Sequence, residues 1–214
     1  MYVKKLLGEE DKKKIIGLLQ DFDVKKNVSF ISIVGIGGQG KSTLAQYIYN
    51  DEMVNAHFEL KMWVCVSDVF DVKTIVENMI TSTTKKKKTE SLLMEQLKDE
   101  LLKILNQKIY LLVLDDVWID NKATWDKLKT LLLDGKRGSK VMITTWTKLV
   151  ADITSPISQY FLRGLSDDQS SALLKQMAFE EGKETINSNF EVIGMDIVKK
   201  CQGVPLAIKI MGSV

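Results

Sequence analysis

The run VSFISIVGIGGQGKSTLAQYIY, residues 28–49, constrains the fold more than any other stretch of the chain. A β-branched, apolar segment leads without a polar break into Gly35, Gly37, Gly38 and Gly40, and helix-forming residues follow, with Leu44, Tyr47 and Ile48 on one face. Strand, glycine loop and helix in that order form the phosphate-holding corner of an α/β sheet. Two glycine patterns fit the loop. Gly35, Gly37 and Gly40 satisfy the dinucleotide fingerprint G-x-G-x-x-G, whereas Gly35, Gly40, Lys41 and Ser42 satisfy the phosphate-loop pattern G-x-x-x-x-G-K-[ST].

Further apolar runs, LKMWVCV at 60–66, IYLLVLDD at 109–116 and KVMITT at 140–145, read as strands. They alternate with the helix-like segments DVKTIVENMITS and SLLMEQLKDELLKIL, and an amphipathic helix with an acidic start, EEDKKKIIGLLQ, precedes the first strand. Nearly continuous hydrophobic strands between helices imply a parallel sheet covered on both faces, a doubly wound α/β fold. After about residue 164 only helical patterns remain. The expected organisation is a nucleotide-binding domain over 1–164 and the start of a small helical subdomain over 165–214. The chain stops at Val214 inside an apolar helical pattern, which reads as a fragment of a longer protein.

A chain of 214 residues, 45% hydrophobic, can bury the core that such a fold needs. Its 30 basic and 28 acidic residues nearly cancel, to a formal net charge of +2, which gives no ground for a nucleic-acid or membrane partner. Neither a signal-peptide pattern nor a run of membrane-spanning length is present in the sequence, so a cytoplasmic location is expected. Lys85 to Lys88 lie among Ser and Thr and read as a solvated loop. Cys65 and Cys201 fit no metal or redox spacing and read as free thiols. Trp63, Trp118 and Trp125 read as core or interface aromatics, and the lone His57 falls in a loop-like stretch with no assigned role.

The neighbours of the glycine loop decide between its two readings. A dinucleotide site needs an acid about 20 residues on, at the end of the second strand, to hold the ribose, and the nearest candidate, Asp68, lies well beyond that distance from Gly40. The phosphate-loop reading uses every residue. Backbone N–H groups from Gly37 to Ser42 cradle the β-phosphate, Lys41 reaches the β and γ oxygens, and the Ser42 hydroxyl ligates Mg²⁺. The apolar strand ending in LLVLDD completes the pattern: Asp115 is the expected Mg²⁺ partner, and Asp116 beside it positions or polarises a water.

GIGGQGKSTLA, KMWVCVSD, LLVLDDVW, GSKVMITT, YFLRGLSDDQSSALLKQMAF and CQGVPLAIKIMG occur in the order and approximate spacing of the NB-ARC domain of plant intracellular immune receptors. The chain resembles that domain from about residue 8 to its end. The resemblance implies an ATPase-type switch of disease-resistance receptors that binds ADP or ATP with Mg²⁺ and oligomerises only in the full-length active state. Partners are then the nucleotide, other domains of the same receptor and other immune receptors. It maps phosphate contacts onto Gly38, Gly40, Lys41, Ser42 and Thr43, and the acidic motif onto Asp115 and Asp116. Pro205, with Leu206 beside it, matches the family's proline at the adenosine.

Two positions depart from the family pattern, and each lacks an arginine. The family's T-T-R, which senses the γ-phosphate, is here Thr144, Thr145 and Trp146, and an indole offers one N–H and no charge. Near the adenine the family has an apolar residue, glycine and arginine, where this chain has Leu7, Gly8 and Glu9. Backbone contacts at Leu7 and Gly8 survive that change, but a carboxylate cannot replace a guanidinium. Without an arginine to balance charge developing on the γ-phosphate, at most a slow ATPase is expected. The other reading is a non-switching interaction module or decoy that binds other immune receptors.

Overall fold

Period-two alternation along the strands decides which layer each side chain joins. The computed structural model describes residues 8–21, 27–66, 69–84, 92–154, 158–179 and 188–213. Its sheet contains β1 (Val28–Val34), β2 (Leu60–Cys65), β3 (Tyr110–Asp115), β4 (Ser139–Thr145) and β5 (Gln159–Phe161), in the order β2-β3-β4-β1-β5 with every pair parallel. Tyr110, Leu112 and Leu114 of β3 face one layer with Val141 and Ile143 of β4, while Leu111, Val113 and Met142 face the other with Ile31 and Ile33 of β1. All of β3 and β4 is buried, as strands covered on both faces must be.

Helices α1 (Glu9–Leu19), α2 (Lys41–Tyr49) and α3 (Glu52–His57) cover the second face through Ile15, Leu19, Leu44, Ile48 and Val54. Helices α4 (Val72–Thr84), α5 (Met94–Leu105), α6 (Lys122–Leu132) and α7 (Lys148–Thr154) cover the first through Ile75, Met79, Leu101, Trp125 and Val150. This is the doubly wound parallel sheet expected from the sequence. A third cluster forms from Leu173, Leu174, Val198, Cys201 and Ile208 on α8 (Asp167–Ala178), α9 (Ser188–Cys201) and α10 (Pro205–Gly212). Ser166 and Gln169 close a capping box at the start of α8, and Pro205 opens α10 at a position where a missing N–H costs nothing.

Three features differ from the sequence expectation. A fifth strand exists because Gln159, Tyr160 and Phe161 pair with Ser32, Ile33 and Val34; three residues are too few to show a pattern of their own. Helices α6 and α7 fall on segments not assigned from the sequence, although Trp125, Leu128, Leu131 and Leu132 of α6 recur at helical spacing. His57 ends α3 and does not lie in a loop. Of the tryptophans read as core or interface aromatics, Trp125 is fully buried, its ring meeting Phe30 and Phe70 edge-on, and Trp118 is 41% exposed. Trp63 packs edge-on against Tyr49, and both cysteines are free thiols, Cys65 exposed and Cys201 buried. Leu7, Asp68 and Lys85 to Lys88 lie outside the described residues.

Candidate functional site

The site gathers at the carboxyl ends of β1, β3 and β4, where a doubly wound sheet leaves a crevice. At the end of β1 the chain turns through Gly38 (φ 74°) and Gly40 (φ 98°), left-handed backbone that a side chain would strain, and Gly40 caps the start of α2. The Gln39 carboxamide oxygen accepts from the Ile36 N–H at 2.8 Å, and the Gly35 N–H donates to the Thr145 carbonyl at 3.2 Å. The loop is thereby tied to itself and to the tip of β4.

Lys41, only 8% exposed, donates from Nζ to the Ile36 carbonyl at 3.1 Å across the loop. Burial lowers its pKa from the ordinary lysine value, and the nearby Asp116 and Asp115 carboxylates act in the opposite direction. The Ser42 hydroxyl donates to Asp115 Oδ1 at 2.8 Å, and the Thr144 hydroxyl donates to the same oxygen at 2.5 Å. Thr144 Oγ1 in turn accepts from the Asp116 N–H at 2.8 Å. Asp115 is buried, whereas Asp116 is exposed and takes φ 58°, which turns the chain sharply at the strand tip.

Thr144 is the member of this constellation that sequence reasoning missed as a site residue. In the sequence it stands only in a strand and in the T-T-R pattern, where the arginine position carries the functional signal. Its place opposite Asp115 depends on the β3–β4 register, in which Leu114 pairs with Ile143. The oxygen donors, a hydroxyl and a buried carboxylate in contact, suit a hard cation such as Mg²⁺, which is held through few protein ligands plus phosphate and water. Ser42 and Asp115 are the residues that would hold it.

A cleft of about 260 Å³ opens beside the loop, lined by Gly38, Gly40, Ser42, Thr43, Pro205 and Leu206, with Lys41 and Lys209. The Leu206 N–H donates to the Gly38 carbonyl at 3.2 Å, so α10 begins directly on the glycine loop. A Cβ added to Gly38 would meet Leu206 Cβ at 2.8 Å; this close approach, as well as the positive φ, calls for glycine.

Of the residues expected in the site, Gly38, Gly40, Lys41, Ser42, Thr43, Pro205 and Leu206 come together in the cleft, with Asp115 and Asp116 behind Ser42 and Lys41. Gly37 stands exposed on the loop's crest, outside the cleft wall. Gly8 caps α1 and lies outside that wall too, and the Glu9 carboxylate accepts a hydrogen bond from the Tyr47 hydroxyl on α2. Trp146 also stands apart. Its ring lies 4.7 Å from that of Trp118, and both line a separate groove of about 530 Å³ with Val69, Phe70 and Leu149.

The model of the NB-ARC domain matches residues 8–184, which include the glycine loop, both acids and Thr144. The chain belongs to the NB-ARC family. Relatives of this NB-ARC chain include RGA4 of Solanum bulbocastanum, 44% identical over 91% of the chain, and the disease resistance protein RGA2 of the same organism, 37% identical over 96%. The chain spans about a fifth of the length of these relatives, 20% and 21%. Among solved structures, Cdc6p from Pyrobaculum aerophilum superposes with a TM-score of 0.71 at 15% identity, covering 95% of this chain and 59% of that one. A signal transduction ATPase with numerous domains from Pyrococcus horikoshii gives 0.54 at 16% identity, covering 92% and 28%. At these identities the likeness concerns the fold, that of a P-loop ATPase. Among the described residues, no helix of this NB-ARC chain is long and apolar enough to cross a membrane.

Proposed function

We propose that the chain is the ADP- or ATP-binding switch module of a plant disease-resistance receptor in the cytoplasm, with slow or absent hydrolysis. Residues 1–164 belong to its nucleotide-binding domain and 165–214 to its helical ARC1 subdomain. The observation that carries this reading is the Ser42–Asp115 contact at 2.8 Å beside the buried Lys41, which brings the two halves of a phosphate and Mg²⁺ site together. Gly38, Gly40 and Thr43 offer backbone N–H groups to the diphosphate, Lys41 supplies positive charge to it, and Pro205 and Leu206 wall the adenosine side. Gly37, on the crest of the loop, contributes through its backbone alone. Ser42 and Asp115 would hold Mg²⁺, which would supply charge neutralisation at the phosphate oxygens, and Asp116 would polarise a water. A slow rate is supported by Trp146, which stacks on Trp118 and presents no charge to the cleft.

The test is chromatographic identification of the nucleotide released when the purified chain is denatured, followed by titration with ADP and ATP. Bound or bindable adenine nucleotide in the wild type, lost in Lys41→Ala, supports the reading. A chain that neither carries nor binds nucleotide overturns it.

One observation favours a second reading, a non-switching module that binds other immune receptors: the exposed Trp118 and Trp146 side by side on one face. Thermal melting separates the two, because a ligand that binds only the folded state raises stability by mass action. An unchanged melting temperature at millimolar ADP with Mg²⁺ would favour the module.

A further inference from the structure

The cleft contains a second cation that the glycine-loop pattern does not supply. Lys209 lies four residues after Pro205 in α10, and residues so spaced share a helix face. Both line the cleft, and none of the described residues lining it is a carboxylate. The helix is fixed in place at both levels: the Leu206 N–H donates to the Gly38 carbonyl, and Ile208 is fully buried against Leu173, Leu174 and Val198. Lys209 is thus set beside the phosphate loop by a packed helix.

Among the described residues, Lys209 makes no ion pair. Lys41, by contrast, is buried and already donates to the Ile36 carbonyl. The cleft therefore carries two like charges from separate parts of the chain. Lys41 has the Asp115 and Asp116 carboxylates beside it, whereas Lys209 brings a further cation to the cleft wall, and an anion seated in the cleft attracts both. A lysine in the last turn of a helix also complements the helix dipole, but any cation at the helix end does that, and it requires no place in the cleft.

We propose that Lys209 is a second phosphate-binding residue: its ammonium pairs with the phosphate chain of a nucleoside di- or triphosphate seated in the glycine loop. The nucleotide's charge then joins α10 and its small core to the loop that follows β1. This inference rests on the nucleotide-binding reading above and names a residue that reads the phosphates from the helical side.

Calorimetric titration of the whole chain with ADP and Mg²⁺ at low and high salt, on wild type, Lys209→Met and Lys209→Arg, tests it. Lys209→Met should bind ADP about tenfold more weakly, as loss of one charge-assisted contact implies. Its affinity should also depend less on salt than that of the wild type, since one screened ion contact is gone. Lys209→Arg should stay near wild type. Ligand-free melting temperatures should agree among the three; if methionine lowers that of its variant, Lys209→Gln takes its place. Wild-type affinity and salt dependence in Lys209→Met, or a Lys209→Arg variant as weak as Lys209→Met, overturns the role of Lys209 alone. A wild type that binds no ADP overturns the nucleotide-binding reading and this inference with it.

Discussion

Ser42 at the start of α2 and Asp115 at the end of β3 are joined by a 2.8 Å hydrogen bond between residues far apart in the chain. Thr144 completes the arrangement from β4. Its hydroxyl donates to Asp115 and accepts from the Asp116 N–H, so one buried oxygen orients both acids.

Thr144→Val keeps the side-chain shape and removes that oxygen, leaving the Asp116 N–H and one Asp115 lone pair unsatisfied. Folding stability should fall by about 1–3 kcal/mol, the range for an unmet buried partner. Urea denaturation of the ligand-free chain checks the energy. Titration with ADP should show weaker binding in the presence of Mg²⁺ and little change without it; equal loss in both conditions would separate Thr144 from the cation site.

Lys12 and Asp51 form a 2.6 Å ion pair that fastens α1 to the start of α3, and the Lys12 ammonium also lies over the Tyr47 ring. The hydrogen bond from Lys12 holds the Asp51 carboxyl below its ordinary value of 3.8. A carboxylate with a depressed folded-state pKa contributes stability that is fully present above its unfolded value and is lost as pH falls through the folded one. Acid denaturation should therefore be shallower below about pH 4 in Asp51→Asn, since both partners of the wild-type pair are mostly covered, 14% and 12% exposed. Chemical denaturation of both proteins across the acid range measures the difference.

Trp125 and Trp118 are distinguished by burial, 0% and 41% exposed. Trp125→Ala should cost about 3–5 kcal/mol because it empties a core site between the sheet and α6. Trp118→Ala, which removes a surface ring, should cost under about 1.5 kcal/mol. Urea midpoints of the two variants decide, and similar values would contradict the separate environments.

Trp146→Arg should restore positive charge at the tip of β4, next to Thr145, whose carbonyl receives the Gly35 N–H of the glycine loop. The expected result is an increased preference for ATP over ADP, or faster ATP hydrolysis, since a guanidinium makes the charge-assisted contacts an indole cannot. Competition titration and phosphate release measure both. An unchanged profile would show that position 146 has no access to the nucleotide.

Much of this protein is determined locally. Sequence periodicity established the central strands β1, β3 and β4, because strands buried on both faces must be apolar throughout, and the glycine loop was legible because left-handed turns and close approach exclude side chains. Lys41, Ser42 and Asp115 were legible by type and spacing. Other features depended on partners distant in sequence. The three-residue β5 exists only through its pairing with β1, and the short α7 is defined by the packing of Val150 and Ala151. Thr144 becomes a bridge between two acids only through the β3–β4 register, and the neighbourhood of Trp146, a groove it lines with Trp118, is set by tertiary packing. Residue type and spacing record what a segment can do. Which side chains meet is decided by register and packing, and these are properties of the assembled sheet and its helices.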